Sequence, residues 1–121
     1  MGENFSPATP VLRQDRVNVL AIEGDIDLHI SPAITESLNA MIKEKPDRIV
    51  IDLSRATYID SAGVAALISA MQQVKAYGGK FFLSGVQETI RSILETSRLD
   101  RIFWIFPDVD AALAANAAWF T

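Results

Sequence analysis

The sequence predicts one α/β domain: a small, mixed, mostly parallel β-sheet packed with about four helices. Three observations carry this expectation. Short β-branched or aromatic runs alternate with segments whose apolar residues recur at helical spacing. The clearest run, Ile49-Val50-Ile51-Asp52-Leu53, is apolar at four of five positions and reads as a buried strand. It leads through a turn, Ser54 to Gly63, into a helix whose apolar face is expected at Val64, Leu67, Ile68 and Met71.

In chain order, residues 1–10 are mostly small or polar, with two prolines, and are expected to form a flexible lead-in to a domain over 11–121. Val11 to Arg13 is a weak strand candidate; Gln14-Asp15-Arg16 is a hairpin turn candidate that would pair it antiparallel to the next strand. Val17 to Glu23 reads as a strand, broken by Gly24 and followed by a loop to Ile30. Ser31-Pro32 supplies an N-cap and a first-turn proline for a helix with Ile34, Leu38, Met41 and Ile42 on one face. Lys43 and Lys45 suit its negative end. After the central strand, the second helix is expected from about Ala62 to Tyr77, ended by Gly78-Gly79. Its small residues Ala65, Ala66, Ser69 and Ala70 let another surface approach closely. Lys80 to Ser84 is a strand, and Val86, Ile90, Ile93 and Leu94 mark a third helix. Ile102 to Phe106 is a last strand. Pro107-Asp108 opens a fourth helix with Val109, Ala112, Leu113, Ala117 and Phe120 on one side, where Trp119-Phe120 is expected to close the core.

Composition bounds the function. The 121 residues are half apolar, enough for one packed core. The net charge of −4 argues against nucleic acid, which wants a basic patch, and against electrostatic docking on anionic lipid. The longest apolar runs fall short of the ~20 residues that cross a bilayer, so no direct membrane insertion is expected. No cysteine is present, which excludes thiol chemistry and suits a cytoplasmic protein. Nucleophilic catalysis has few parts: one histidine, His29, in a polar loop. The chain is read as a non-enzyme. No Walker or dinucleotide loop is present and no cofactor is expected. Asp25, Asp27 and Asp60 would converge if their loops share one end of the sheet, although carboxylates in loops are usually caps and turn formers, and no metal site is assigned.

Asp60-Ser61-Ala62-Gly63 sits where the central strand reaches a helix start. On residue chemistry alone, Asp60 or Ser61 is an N-cap there. The stretch Asp52-Leu53-Ser54, then Tyr58-Ile59-Asp60-Ser61-Ala62-Gly63-Val64, resembles the signature of the STAS domain, specifically of bacterial anti-sigma-factor antagonists. Glu23-Gly24-Asp25-Ile26-Asp27, Tyr77-Gly78-Gly79-Lys80 and the Leu94 to Phe103 segment resemble further family motifs in the same order, covering roughly residues 10 to 115. The resemblance implies a binding module whose Ser61 is phosphorylated by a partner that is both anti-sigma factor and serine kinase, and restored by a metal-dependent serine phosphatase. Unphosphorylated, the chain would bind that partner and release a sigma factor. The partner-binding residues implied are Asp27, Asp60, Ser61, Ala62, Gly63 and Ala65. Asp27 would orient the loop, or alternatively form an Asx turn; Ala at position 63 would crowd the partner. STAS domains also serve lipid transporters of the ABC type and anion transporters, which gives a rival role as a transport accessory. A receiver-type phosphoprotein, with Asp as phosphoacceptor and Mg²⁺, lacks a well-placed acidic pair. Arg98 stands where the family often has Gly, so a different turn is expected there.

Overall fold

The computed structural model describes residues 16–115. Four parallel strands in the order β1-β2-β3-β4 form the sheet: β1 Val17–Ile26, β2 Arg48–Ile59, β3 Lys80–Ser84 and β4 Trp104–Phe106. Helices α1 Ser31–Lys43, α2 Ser61–Ala76 and α3 Glu88–Thr96 alternate with them, and α4 Val109–Ala114 follows β4. The candidate strand at Val11 to Arg13, its antiparallel pairing, and Ala117, Trp119 and Phe120 lie outside the described residues.

Alternation in β2 and β3 assigns the two faces. Ile49, Ile51, Leu53, Phe81 and Leu83 pack with residues of the first three helices, including Leu38, Leu67 and Ile90. Val50, Phe82 and Phe106 point the other way and bury Ala112 of α4. Two covered faces explain why β2 begins with a run of consecutive buried residues. Phe82 meets Phe106 with ring centroids 4.8 Å apart and tilted by 55°, a favoured aromatic arrangement. On the same face Arg48, the first residue of β2, is buried. Its guanidinium donates to the carbonyls of Ala112, Leu113 and Ala115 at 2.9, 3.1 and 2.7 Å and lies 5.6 Å from the Phe82 ring centroid. A cation thus satisfies carbonyls at the negative end of α4.

The central strand is longer than its sequence suggests. The expected turn from Ser54 is strand as far as Ile59, and Gly24 lies inside β1 rather than ending it. Both differences come from bulging. The β1–β2 register shifts between Ala21 and Glu23 and again between Gly24 and Asp25, with one extra residue on β2 each time. Gly24 has φ +76° beside the second shift, a conformation glycine adopts without a Cβ clash. The buried residues of this half of β2 are Leu53, Ala56 and Ile59, spaced by three. Each bulge adds one residue to the usual step of two. The β3 partner ends at Asp52, so the last half of β2 pairs with β1 alone among the described strands.

Helix ends also depart from expectation. Ser31 is the first residue of α1 and is buried; Ile30 holds the cap position without a side-chain cap bond. The polar work there falls to Asp27, described below. In α2 the buried stripe is Gly63, Leu67, Ala70 and Val74. Val64, Ile68 and Met71, expected at its centre, lie at its margin and are partly exposed. The C-terminus of α2 follows expectation: Gly78 has φ +88°, and the amides of Gly79 and Gly78 donate to Val74 and Lys75 carbonyls at 2.9 and 3.0 Å, a Schellman motif. In α4, Ala112 is buried, whereas Leu113 is exposed and leaves the expected face.

Candidate functional site

Asp60 is the single residue between β2 and α2, and its carboxylate joins two loops. One oxygen, Oδ1, accepts from the Gly63 amide at 3.0 Å and so caps α2. The other, Oδ2, accepts from the Leu28 amide at 3.0 Å. The Asp60 amide donates to the Ile26 carbonyl at 3.0 Å. The end of β1, the loop after it and the start of α2 are therefore fixed to one residue, the first through its backbone amide and the other two through its carboxylate. The cap is Asp60, and Ser61 is the first helical residue.

Asp27 sets the loop itself. Its Oδ1 accepts from the amides of His29 and Ile30 at 3.0 and 3.2 Å, and its carbonyl accepts from the Ser31 amide at 2.9 Å. This is an Asx turn. It brings Asp27 and Asp60 to the same end of the sheet. Asp25 is engaged separately, accepting from the Thr57 hydroxyl at 2.7 Å. Among the described residues no group of three or more side chains is arranged to hold a metal ion, and no helix is long and apolar enough to cross a membrane.

Ser61 is exposed, Ala62 is half-buried and Ala65 is exposed one turn further along α2. Gly63 is different: it is buried, and a Cβ there would lie 2.6 Å from the Ile26 carbonyl oxygen and 2.8 Å from Ile59 Cγ1. The close approach that this glycine permits is to its own chain, so alanine there would crowd β1 and β2 whatever it does to a partner. Around Ser61 the surface is apolar. Leu28 is 71% exposed on the loop that Asp60 holds, and Tyr58 is 44% exposed at the end of β2. Both stand among the few large apolar side chains that the described residues leave in solvent. The sequence gives Leu28 no distinction from Ile30 in the same loop, and its display depends on the long-range bond to Asp60. Tyr58 belongs to the motif, but its outward direction follows from the bulged strand.

A groove of about 670 Å³ opens beside Ser61. One wall is α2, through Ser61, Val64, Ala65 and Ile68; the other holds Ile93, Ser97 and Leu99. The turn between the last two passes through Arg98, which takes the left-handed conformation at φ 61°. Arginine thus adopts the geometry that glycine makes easily, and the expected change of turn does not occur.

The family model of the STAS domain matches residues 8–112. The anti-sigma-F factor antagonist RsfB of Mycobacterium tuberculosis is 29% identical over 97 residues, covering 80% of this chain and 79% of that protein. The crystal structure of an anti-sigma factor antagonist from Mycobacterium paratuberculosis matches with a TM-score of 0.74 and 28% identity, over 84% of this chain and 86% of that one. A sulfate transporter family protein from Wolinella succinogenes matches with a TM-score of 0.72 and 24% identity, over 81% and 82% of the two chains. That last likeness is one of fold. With the family model spanning most of the sequence and the Asp60-Ser61 junction at the start of α2, this chain belongs to the STAS-domain family.

Proposed function

We propose that this chain is an anti-sigma-factor antagonist: a binding module that engages an anti-sigma factor with serine-kinase activity, and is released by phosphorylation of Ser61. The observation that carries the reading is the placement of Ser61, exposed at the first position of a capped helix, in one groove with the exposed Tyr58 and directly after the Asp60 that holds the Leu28 loop. Relatives named as antagonists of anti-sigma factors support the same role.

The physics of such a switch is direct. An unmodified Ser61 hydroxyl is small and neutral, so a partner can pack over Ser61, Ala62 and Ala65 and cover Leu28. Phosphorylation adds about −1.5 to −2 charges and a large hydrated group. The positive end of α2 tolerates that charge, and the fold persists. A close interface does not tolerate it, the more so with the Asp60 carboxylate one residue away. Asp27 acts by holding the loop that presents Leu28. A metal-dependent serine phosphatase would reset the module in the cytoplasm.

The test is affinity capture from native lysate with wild type, Ser61→Asp and Ser61→Ala as parallel baits. A kinase-like ATPase retained by wild type and Ser61→Ala, and weakened at least about 100-fold on Ser61→Asp, is expected from the several kcal/mol that a misplaced interfacial charge costs. Equal retention by all three baits, or capture of transporter subunits irrespective of residue 61, would overturn the switch and leave Ser61 an ordinary first-turn residue.

A further inference from the structure

A second groove, of about 480 Å³, lies at the opposite end of α2. Its apolar lining includes Met71, Ile102 and Trp104, and its charged residues are Lys75, Lys80 and Arg101. Ile102 and Trp104 are 43% and 40% exposed, which is unusual for large apolar side chains that have a core within reach. The lining holds three cations and no carboxylate, although the chain as a whole carries four more acidic than basic residues. Neither Lys75 nor Arg101 has an ion-pair partner among the described residues. This cation set is thus segregated on one face of an acidic protein and placed beside apolar anchors.

We propose that this groove docks a segment of another protein whose acidic side chains meet Lys75, Lys80 and Arg101 while its apolar side chains cover Ile102 and Trp104. Charge complementarity selects an acidic segment over a neutral one, and the exposed Trp104 supplies the kind of aromatic anchor that dominates such contacts. The site adjoins the Ser61 groove at Ile68, which lines both. Lys75 is fourteen helical residues from Ser61, or about 20 Å at 1.5 Å per residue. That exceeds the ~8 Å screening length at physiological salt. Docking here is therefore insensitive to the charge on Ser61, and a partner held by this groove stays bound in both states of the proposed switch.

The test uses the full chain and a fluorescein-labelled synthetic peptide in which Glu alternates with Leu and Phe. A matched peptide with Gln in place of Glu and phosphatidylglycerol vesicles serve as the other probes. Anisotropy should report binding of the acidic peptide that weakens as salt rises from ~50 to ~300 mM. Amide shifts should centre on Ile102 and Trp104. Lys75→Glu with Arg101→Glu should weaken binding at least about tenfold. Ser61→Asp, which the switch reading requires to lose its own partner, should bind the peptide as wild type does. Trp104→Ala, at an exposed position, should weaken both peptides and provides a second variant that leaves the charges intact. Equal affinity for the Glu and Gln peptides, no binding of the acidic peptide, loss of binding in Ser61→Asp, or binding of vesicles instead of peptide would each overturn the proposal.

Discussion

Replacing Gly63 by alanine separates two accounts of the same residue. In an exposed helix interior this change stabilises, by about 1 kcal/mol, because alanine is the better helix former. In this structure the added Cβ would meet the Ile26 carbonyl oxygen at 2.6 Å, Ile26 Cγ2 at 2.7 Å and Ile59 Cγ1 at 2.8 Å, about 0.6–0.8 Å inside the 3.4 Å where ordinary contact begins. The nearest obstacle is backbone, and it is not free to move: that carbonyl accepts from the Asp60 amide at 3.0 Å. Relief requires the first turn of α2 to back away from β1 and β2. This stretches the Asp60 cap on Gly63, itself a bond of 3.0 Å. Overpacking of this kind costs about 1–3 kcal/mol, and loss of a cap about 1 kcal/mol. After the propensity gain is subtracted, Gly63→Ala should destabilise by about 1–3 kcal/mol. Urea unfolding followed by circular dichroism measures this as a lower midpoint at unchanged slope. Ser69→Ala, on the exposed side of the same helix, is the control and should be neutral or stabilising by a few tenths of a kcal/mol. A Gly63→Ala protein as stable as wild type would refute the packing argument. If it also lost its partner, the glycine would serve the interface after all.

Three further outcomes follow from bonds already described. Asp60→Ala removes the cap and the tie to Leu28 together and should cost about 1–3 kcal/mol in denaturant unfolding; Asp60→Asn, which keeps one acceptor oxygen, should cost less. Arg48→Met leaves the Ala112, Leu113 and Ala115 carbonyls without their donor; a loss of about 2–4 kcal/mol is expected, with amide exchange in α4 accelerating before that in β2. The Tyr77 hydroxyl donates to the Pro46 carbonyl at 2.7 Å, and its pKa is raised above 10.0, first by burial and then by the Asp47 carboxylate, with Arg16 opposing. The neutral phenol is the form the fold favours, so its contribution is complete below pH 10 and is lost as pH rises through the folded value. Phenolate absorbance in a Tyr58→Phe background should therefore titrate later in the folded than in the unfolded protein.

The elements that the sequence made legible are those decided by local pattern. The run Ile49 to Leu53 is buried on both faces and needs no partner to be recognised. Lys80 to Ser84 has the expected bounds, and Gly78 ends α2 as its chemistry requires. What escaped depends on register. Ser54, Arg55, Thr57 and Tyr58 are exposed, and the buried Ala56 and Ile59 break the period of two because β2 bulges against β1. No window of this strand alone contains that information. Likewise, α2 carries apolar residues on more than one side, and only the sheet beneath it decides that Gly63, Leu67, Ala70 and Val74 face inward. The placement of Asp60 and Ser61 at the start of α2 was legible from type and position. The bond from Asp60 to Leu28 spans 32 residues, and with it the display of Leu28 was beyond any local reading.

That long-range bond also explains how a switch at this position can change binding without changing the fold. The groups that hold the first turn of α2 are the Asp60 carboxylate and the buried Gly63, and neither is the residue proposed to be modified. Ser61 extends from a turn that is already capped, and its hydroxyl is not needed to satisfy the helix. A phosphate there gains from the free amides and positive end of α2, typically about 0.3–1 kcal/mol, and is repelled by the adjacent Asp60 carboxylate by a comparable, solvent-screened amount. Folding stability should then change little. A partner covering Ser61 faces the whole cost of desolvating two charges, which is several kcal/mol. The same modification is thus small for the monomer and large for the complex. The reason lies in the division of labour between neighbours: Asp60 builds the corner, and the modification proposed at Ser61 leaves that corner intact.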